Sequence, residues 1–131
     1  MMQIPSTSPD MEAHLIGLAN SASLGATTYN VKPKTTGAYK HFLIRADLQN
    51  RVTPISRYCR VGVQAWAVDA QGRADLGSAF DLAAGFGRWL ETQSGNGIIL
   101  NAEVDSGPMR VKDDIQNLEY SYVTLLLEVA V

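Results

Sequence analysis

The sequence predicts an α+β domain, a small and mostly antiparallel sheet of about four strands with two helices packed on one face. Three observations carry that expectation. The segment "YSYVTLLLEVAV" sets Val123, Leu125, Leu127, Val129 and Val131 against Tyr122, Thr124, Leu126 and Glu128. One face is wholly apolar and the other mixed, as in a central strand covered by helices on one side. The segment "RADLGSAFDLAAGFGRWLETQ" instead repeats at helical period, through Leu76, Ala79, Phe80, Ala83, Phe86, Gly87 and Leu90. Finally, the order helix, long loop, strand, strand, helix, strand, strand needs no second core, and no internal repeat appears.

The first element is a helix over roughly residues 9–22, in "STSPDMEAHLIGLANSASLG". Ser8 is placed as an N-cap and Pro9 as the first helical residue, with Asp10 and Glu12 at the positive end of the dipole. Met11, Leu15, Leu18 and Ala19 share one face. Residues 1–8 are expected to be flexible. "ATTYNVKPKTTGAYK", residues 26–40, reads as an irregular loop broken by Pro33 and Gly37.

"HFLIRADL" has strand composition, with Phe42 and Ile44 on one face and Leu43 and Arg45 on the other. "QNRVTPISRY" reads as a breaker around Pro54. In "CRVGVQAWAVDA", Val61, Val63, Ala65 and Ala67 alternate with Gln64, Trp66 and Val68, and "DAQG" makes the following turn. Asp75 suits the start of the second helix. Its Gly77, Gly85 and Gly87 each cost about 1 kcal/mol relative to Ala and suggest close approach to the sheet. "SGNG" is a turn, "GIILNAEV" a strand that "SGP" interrupts, and "MRVKD" its resumption.

The totals bound the function. A chain of 131 residues, 46% apolar, suits one domain with one core. Charged residues are only 18%, below the usual quarter, which suggests that some surface is hidden in partners. Net charge is −2, from 11 cationic and 13 acidic side chains, with no long Lys/Arg cluster. Specific nucleic-acid binding is therefore not expected, although a surface past which DNA merely slides would look the same. No run of about 18 apolar residues is present, so nothing is expected to span a membrane. The N-terminus lacks a basic segment followed by an apolar one, so it does not read as a signal peptide, and a cytosol-like compartment is expected.

Sites for chemistry are scarce. His14 and His41 have no metal-ligand spacing to a Cys, His or carboxylate, and read as surface or partly packed side chains. Cys59 is the only cysteine. Arg57 and Arg60 flank it, but a small buried hydrophobe is the simpler reading than a nucleophile. "GFG" and "GNG" lack a phosphate-binding context, and no Gly-x-Ser-x-Gly elbow exists. Asp113 and Asp114, adjacent on a strand, would point to opposite faces and could not share acid–base work. Trp66 and Trp89 suit core packing or an interface anchor equally. No catalytic, cofactor-binding or metal site is expected.

The layout "VGVQAWA", helix, "GIILNAEVDSGPMRVKDD", "YVTLLLEV" resembles the tail terminator proteins of long-tailed bacteriophages, especially those infecting actinobacteria. The resemblance covers roughly residues 8–131. It implies a non-enzymatic virion protein assembled in the host cytoplasm: a homo-hexameric ring on the head-proximal end of the tail tube. That ring would contact the major tail tube protein below and a neck or head-completion protein above, with DNA passing through its lumen unbound. The low charge fraction and slight acidity accord with such a setting. Another head–tail connector or head-closure protein, or a small enzyme with a pocket near Cys59, Arg57 and Arg60, are the alternatives.

"DSGPMRVKDD", residues 105–114, is where this expectation concentrates. Pro108 has no N–H, so it demands an edge position, a ladder break or a bulge, with Gly107 supplying the flexibility. Charge placement sets register and specificity between partners more than affinity. The candidate interface residues are accordingly the charges flanking irregular segments: Arg57, Arg60, Asp105, Arg110, Lys112, Asp113 and Asp114.

Overall fold

In a computed structural model the described residues are 8–53, 55–115 and 117–130, and they form an α+β fold. Helix α1 (Ser8–Ala22) precedes strands β1 (Thr27–Tyr29), β2 (Tyr39–Thr53) and β3 (Ser56–Val68). Helix α2 (Leu76–Glu91) and strands β4 (Ile99–Asp113) and β5 (Leu118–Ala130) complete the chain. One five-stranded sheet runs β1-β2-β3-β5-β4, parallel between β1 and β2 and antiparallel elsewhere. The sheet therefore has five strands rather than about four. The addition is β1, which lies within the segment expected to be loop from 26 to 40. Tyr39 and Lys40 of that segment already belong to β2.

The alternation of β5 sorts its side chains as the sequence predicts. Val123, Leu125, Leu127 and Val129 are buried, while Tyr122, Thr124, Leu126 and Glu128 are half-exposed. Phe42, Ile44 and Ala46 of β2 and Cys59, Val61, Val63 and Ala65 of β3 join them in one core, roofed by both helices. Helix α1 contributes Met11, Leu15 and Ala19, and α2 contributes Ala83, Phe86 and Leu90. Phe86 is central: its ring meets Phe42 edge-on at 4.9 Å and Trp89 at 5.4 Å. Burying each such large apolar side chain contributes about 1.5–3 kcal/mol. Phe80 departs from expectation, for it is exposed on the outer side of α2.

Local chemistry places the helix ends. Asp75 caps α2, its Oδ1 accepting from the Ser78 N–H at 3.2 Å and its Oδ2 from the Ser78 hydroxyl at 2.8 Å. These bonds from Ser78 hold the Asp75 carboxyl below the usual carboxylate range. After α1 the chain turns through Ser23 and Gly25, both at positive φ. The expected cap and first-turn side chains of α1, Ser8 to Asp10, lie outside the described side chains. Of the three α2 glycines only Gly87 makes the expected close approach, since a Cβ there would lie 3.1 Å from Val104 Cγ2.

Neither expected breaker is irregular chain. The segment around Pro54 is a hairpin rather than an irregular breaker: β2 runs to Thr53, paired with Ser56 of β3, after register shifts beyond Leu48. Pro54 itself lies outside the described residues. Nor does "SGP" end a strand. Strand β4 runs through a cis Gly107–Pro108 bond, and the ladder with β5 shifts register between Ser106 and Met109 before resuming at Met109↔Tyr122. A bulge absorbs the residue that cannot donate.

Candidate functional site

With both helices on one face, the other face of the sheet is uncovered by helix, and it is unusually aromatic. Tyr39 stacks on His41 at 5.4 Å, His41 on Trp66 at 6.1 Å, and Trp66 on Tyr120 at 4.6 Å. The ladder crosses three neighbouring strands because His41 and Trp66 are register partners, and β3 pairs with β5. Tyr29 closes one end, edge-on to His41 at 6.2 Å, and Lys32 Nζ lies 5.4 Å from the Trp66 ring centroid. Trp66 is thus buried at 3% exposure on a face without helices. His41 is buried too, with neither ring nitrogen hydrogen-bonded among the described residues. Burial, and then the nearby Lys32 charge, lower its pKa to about 4, so it is neutral at ordinary pH.

The sheet edges are treated differently from one another. At the β1 edge the Asn20 side chain of α1 accepts from the Thr28 N–H at 2.8 Å and donates to the Thr28 carbonyl at 3.3 Å. Further along, beyond the reach of β1, Glu12 Oε2 accepts from the Ala46 N–H of β2 at 2.9 Å. At the β4 edge, Ser94 Oγ accepts from the Ala102 N–H at 3.0 Å and Glu91 Oε2 from the Val104 N–H at 3.0 Å. Polar side chains on or just after the helices therefore occupy donors that a foreign strand would otherwise use. The capping stops at Val104. From Asp105 to Asp113 no other element bonds the outer edge of β4 among the described residues. That stretch carries the bulge, the exposed Met109 and five of the seven charges predicted as interface residues, counting Asp114 just beyond it.

The structure brings some of those predicted residues together and not others. Arg60 Nη1 of β3 lies 2.8 Å from Asp105 Oδ2 of β4, reaching across β5 on the open face. Arg110 is held by Glu119 of β5, through Nε at 3.0 Å and also through Nη2. Arg57 Nε donates to the Gln49 carbonyl at 2.9 Å near the β2–β3 hairpin. Asp113 Oδ1 accepts from the Ile115 N–H at 3.3 Å, shaping the β4–β5 turn. Lys112 and Asp114 are exposed and unpaired among the described residues.

Cys59 belongs to the core. It is fully buried, and burial pushes its thiol up to about 12, so it is protonated and inert. Arg60, next to it in sequence, points to the opposite face, where it pairs with Asp105. Sequence reasoning missed the edge caps and the aromatic ladder. The ladder had a signal in Tyr39, His41, Trp66 and Tyr120, which fall on one parity of three strands. No protein-family model matches the chain, and no curated protein matches it significantly.

Proposed function

We propose that the chain is a structural ring subunit, a tail terminator of a long-tailed bacteriophage, whose copies join through the uncapped half of the β4 edge. The carrying observation is the contrast between capped and uncapped edge: Asn20, Glu12, Ser94 and Glu91 occupy donors elsewhere, and the Asp105–Asp113 stretch is left free. A free edge with exposed Met109 and unpaired Lys112 supports selective side-to-side contact. Its bulge and charges discourage indiscriminate strand addition. A contact between two different surfaces closes into a ring when the rotation allows it.

In this reading each copy presents its β4 edge to a different surface on the next, and the ring of six seats on the head-proximal end of the tail tube. A neck or head-completion protein binds above, and DNA crosses the lumen without specific contacts. The resemblance in the order of elements and in "SGP" followed by a basic residue and an Asp supports the same role. The absence of a reactive thiol is in keeping with it.

Negative-stain microscopy of the protein mixed with tubes of its cognate tail protein tests this. Six-fold rings, or tubes capped at one end and stopped in growth, are expected. Met109→Asp and Lys112→Glu should prevent capping while leaving the circular dichroism spectrum unchanged. Protein that ignores tubes and binds only a portal-side partner would point to another virion connector instead.

A further inference from the structure

The open face also holds a cavity of about 260 Å³, enclosed between the segment after β1 and the strands β2, β3 and β5. Asn30 and Lys32 form one wall, Arg45 and Gln64 another, and Tyr122 stands beside Gly62. Gly62 is what makes the space. A Cβ there would collide with the Tyr122 hydroxyl, so any other residue in the middle of β3 would displace the ring.

The polar chemistry of the lining is one-sided. Lys32 and Arg45 are cationic, neither forms an ion pair among the described residues, and no carboxylate lines the cavity. Gln64 Oε1 accepts from the Trp66 indole N–H at 2.9 Å, which fixes the amide and leaves its NH₂ group as a donor. The Tyr122 hydroxyl has no hydrogen-bond partner among the described residues. Asn30 uses its NH₂ group only for a long 3.4 Å bond to Glu12. Two cations and several uncommitted donors thus converge on a space smaller than the roughly 300–1,000 Å³ of a drug-sized pocket.

We propose that this cavity is an oxyanion site, taking a carboxylate or a phosphate group between Lys32 and Arg45, with Gln64 and Tyr122 donating to its remaining oxygens. Arg45 supplies planar, paired donors and Lys32 a compact charge, a combination suited to an oxyanion. The volume admits a small acid or one acidic group presented on a longer chain. This inference goes beyond the assembly reading and does not depend on it, because it concerns single copies.

The test is a titration of isotope-labelled full-length protein, followed by NMR at low salt, with inorganic phosphate, succinate and a short oligoglutamate peptide as separate probes. Saturable shifts centred on Asn30, Arg45, Gly62 and Gln64 are expected with at least one probe. Lys32→Met and Arg45→Met, both at exposed positions and so compatible with folding, should each weaken binding by about tenfold or more. Tyr122→Phe, which keeps the ring, should weaken it less. Saturation by phosphate or succinate identifies a free small oxyanion as the ligand; saturation by the peptide alone identifies a carboxylate carried on a protein segment. Either supports the site. Scattered, non-saturating shifts with all three probes, or binding indifferent to both Met variants, would overturn it.

Discussion

Arg60 and Asp105 form an ion pair at 2.8 Å that spans the full width of β5, linking β3 to the start of the bulged half of β4. Both side chains are about half exposed, at 52% and 43%, so water screens them strongly. The pair is better placed to hold β4 in position than to stabilise the fold. A double-mutant cycle with Arg60→Ala and Asp105→Ala should give a coupling of about 0.2–1 kcal/mol in urea unfolding, shrinking as salt is added. A salt-independent coupling well above that range would mean the pair is desolvated in solution.

Glu91 and Ser94 end the capped part of the β4 edge, and removing a cap should extend the sticky part. Glu91→Ala leaves the Val104 N–H without its protein acceptor, at a cost of about 1 kcal/mol, and should promote self-association through β4. Glu91→Gln retains an acceptor and should behave as the wild type. Sedimentation velocity across a concentration series separates the two. A Glu91→Ala variant that sediments as the wild type does would show that Glu91 does not guard the edge.

What was legible in the sequence depended on the range of the cause. The burial of Val123, Leu125, Leu127 and Val129 follows from alternation within one strand, and the Asp75 cap from a residue three positions away. Both could be read directly. Strand β1 could not, because its three residues are held by the β2 ladder and by Asn20, eight positions back in another element. Pro108 reads as demanding an edge position, a ladder break or a bulge, and it sits at a register shift in the edge strand β4. Locally it breaks a strand, but the β5 ladder continues on both sides of it and absorbs the defect as a bulge. The candidate charges are those expected to flank irregular segments, yet Arg60, Arg110 and Lys112 fall inside strands, and the Arg60–Asp105 pairing joins residues 45 positions apart, which no local pattern encodes. The cavity has the same character: its cations come from separate segments, and only Gly62 inside an apolar strand hinted at it.

Gly107 is the least replaceable position on the bulged edge. Its φ is +89°, and a Cβ would run into the Tyr122 carbonyl and lie 3.2 Å from Val123 Cα. Backbone strain and backbone collision add, so Gly107→Ala should cost about 2 kcal/mol or more, read as a lower urea midpoint at unchanged slope. Gly85→Ala is the contrast. It has open space around a Cβ in mid-helix and should be neutral or stabilising by up to about 1 kcal/mol. Equal effects at the two positions would contradict the backbone geometry given to Gly107.

Cys59 should be silent to thiol reagents until the chain unfolds. The thiol is raised from 9.0 to about 12 chiefly by burial, with Asp47 adding to the rise. Because the folded value is the higher, the contribution to stability is complete below pH 9 and is lost as pH climbs through about 12. Labelling by a chromogenic disulfide at neutral pH should follow global unfolding measured by fluorescence. Rapid labelling of the native protein would place the thiol at the surface.

His41 gives the fold an acid-sensitive element on its open face, flanked by Tyr29, Tyr39 and Trp66 with Lys32 nearby. Above pH 6.5 the imidazole is neutral whether the chain is folded or not, and it adds no pH dependence. Between pH 6.5 and about 4 the unfolded chain binds a proton that the folded protein refuses, so stability falls as pH falls. Below about 4 the folded protein accepts the proton as well, and the loss levels off. The full loss is at most about 3 kcal/mol. Carboxylates titrate over the lower part of that range, so the informative quantity is the difference between wild type and His41→Phe, which keeps an aromatic ring in the stack. Urea unfolding of both across this window should show the wild type losing more stability than the variant on acidification. Parallel pH profiles would mean that His41 is protonated in the folded protein and that the aromatic ladder opens to water.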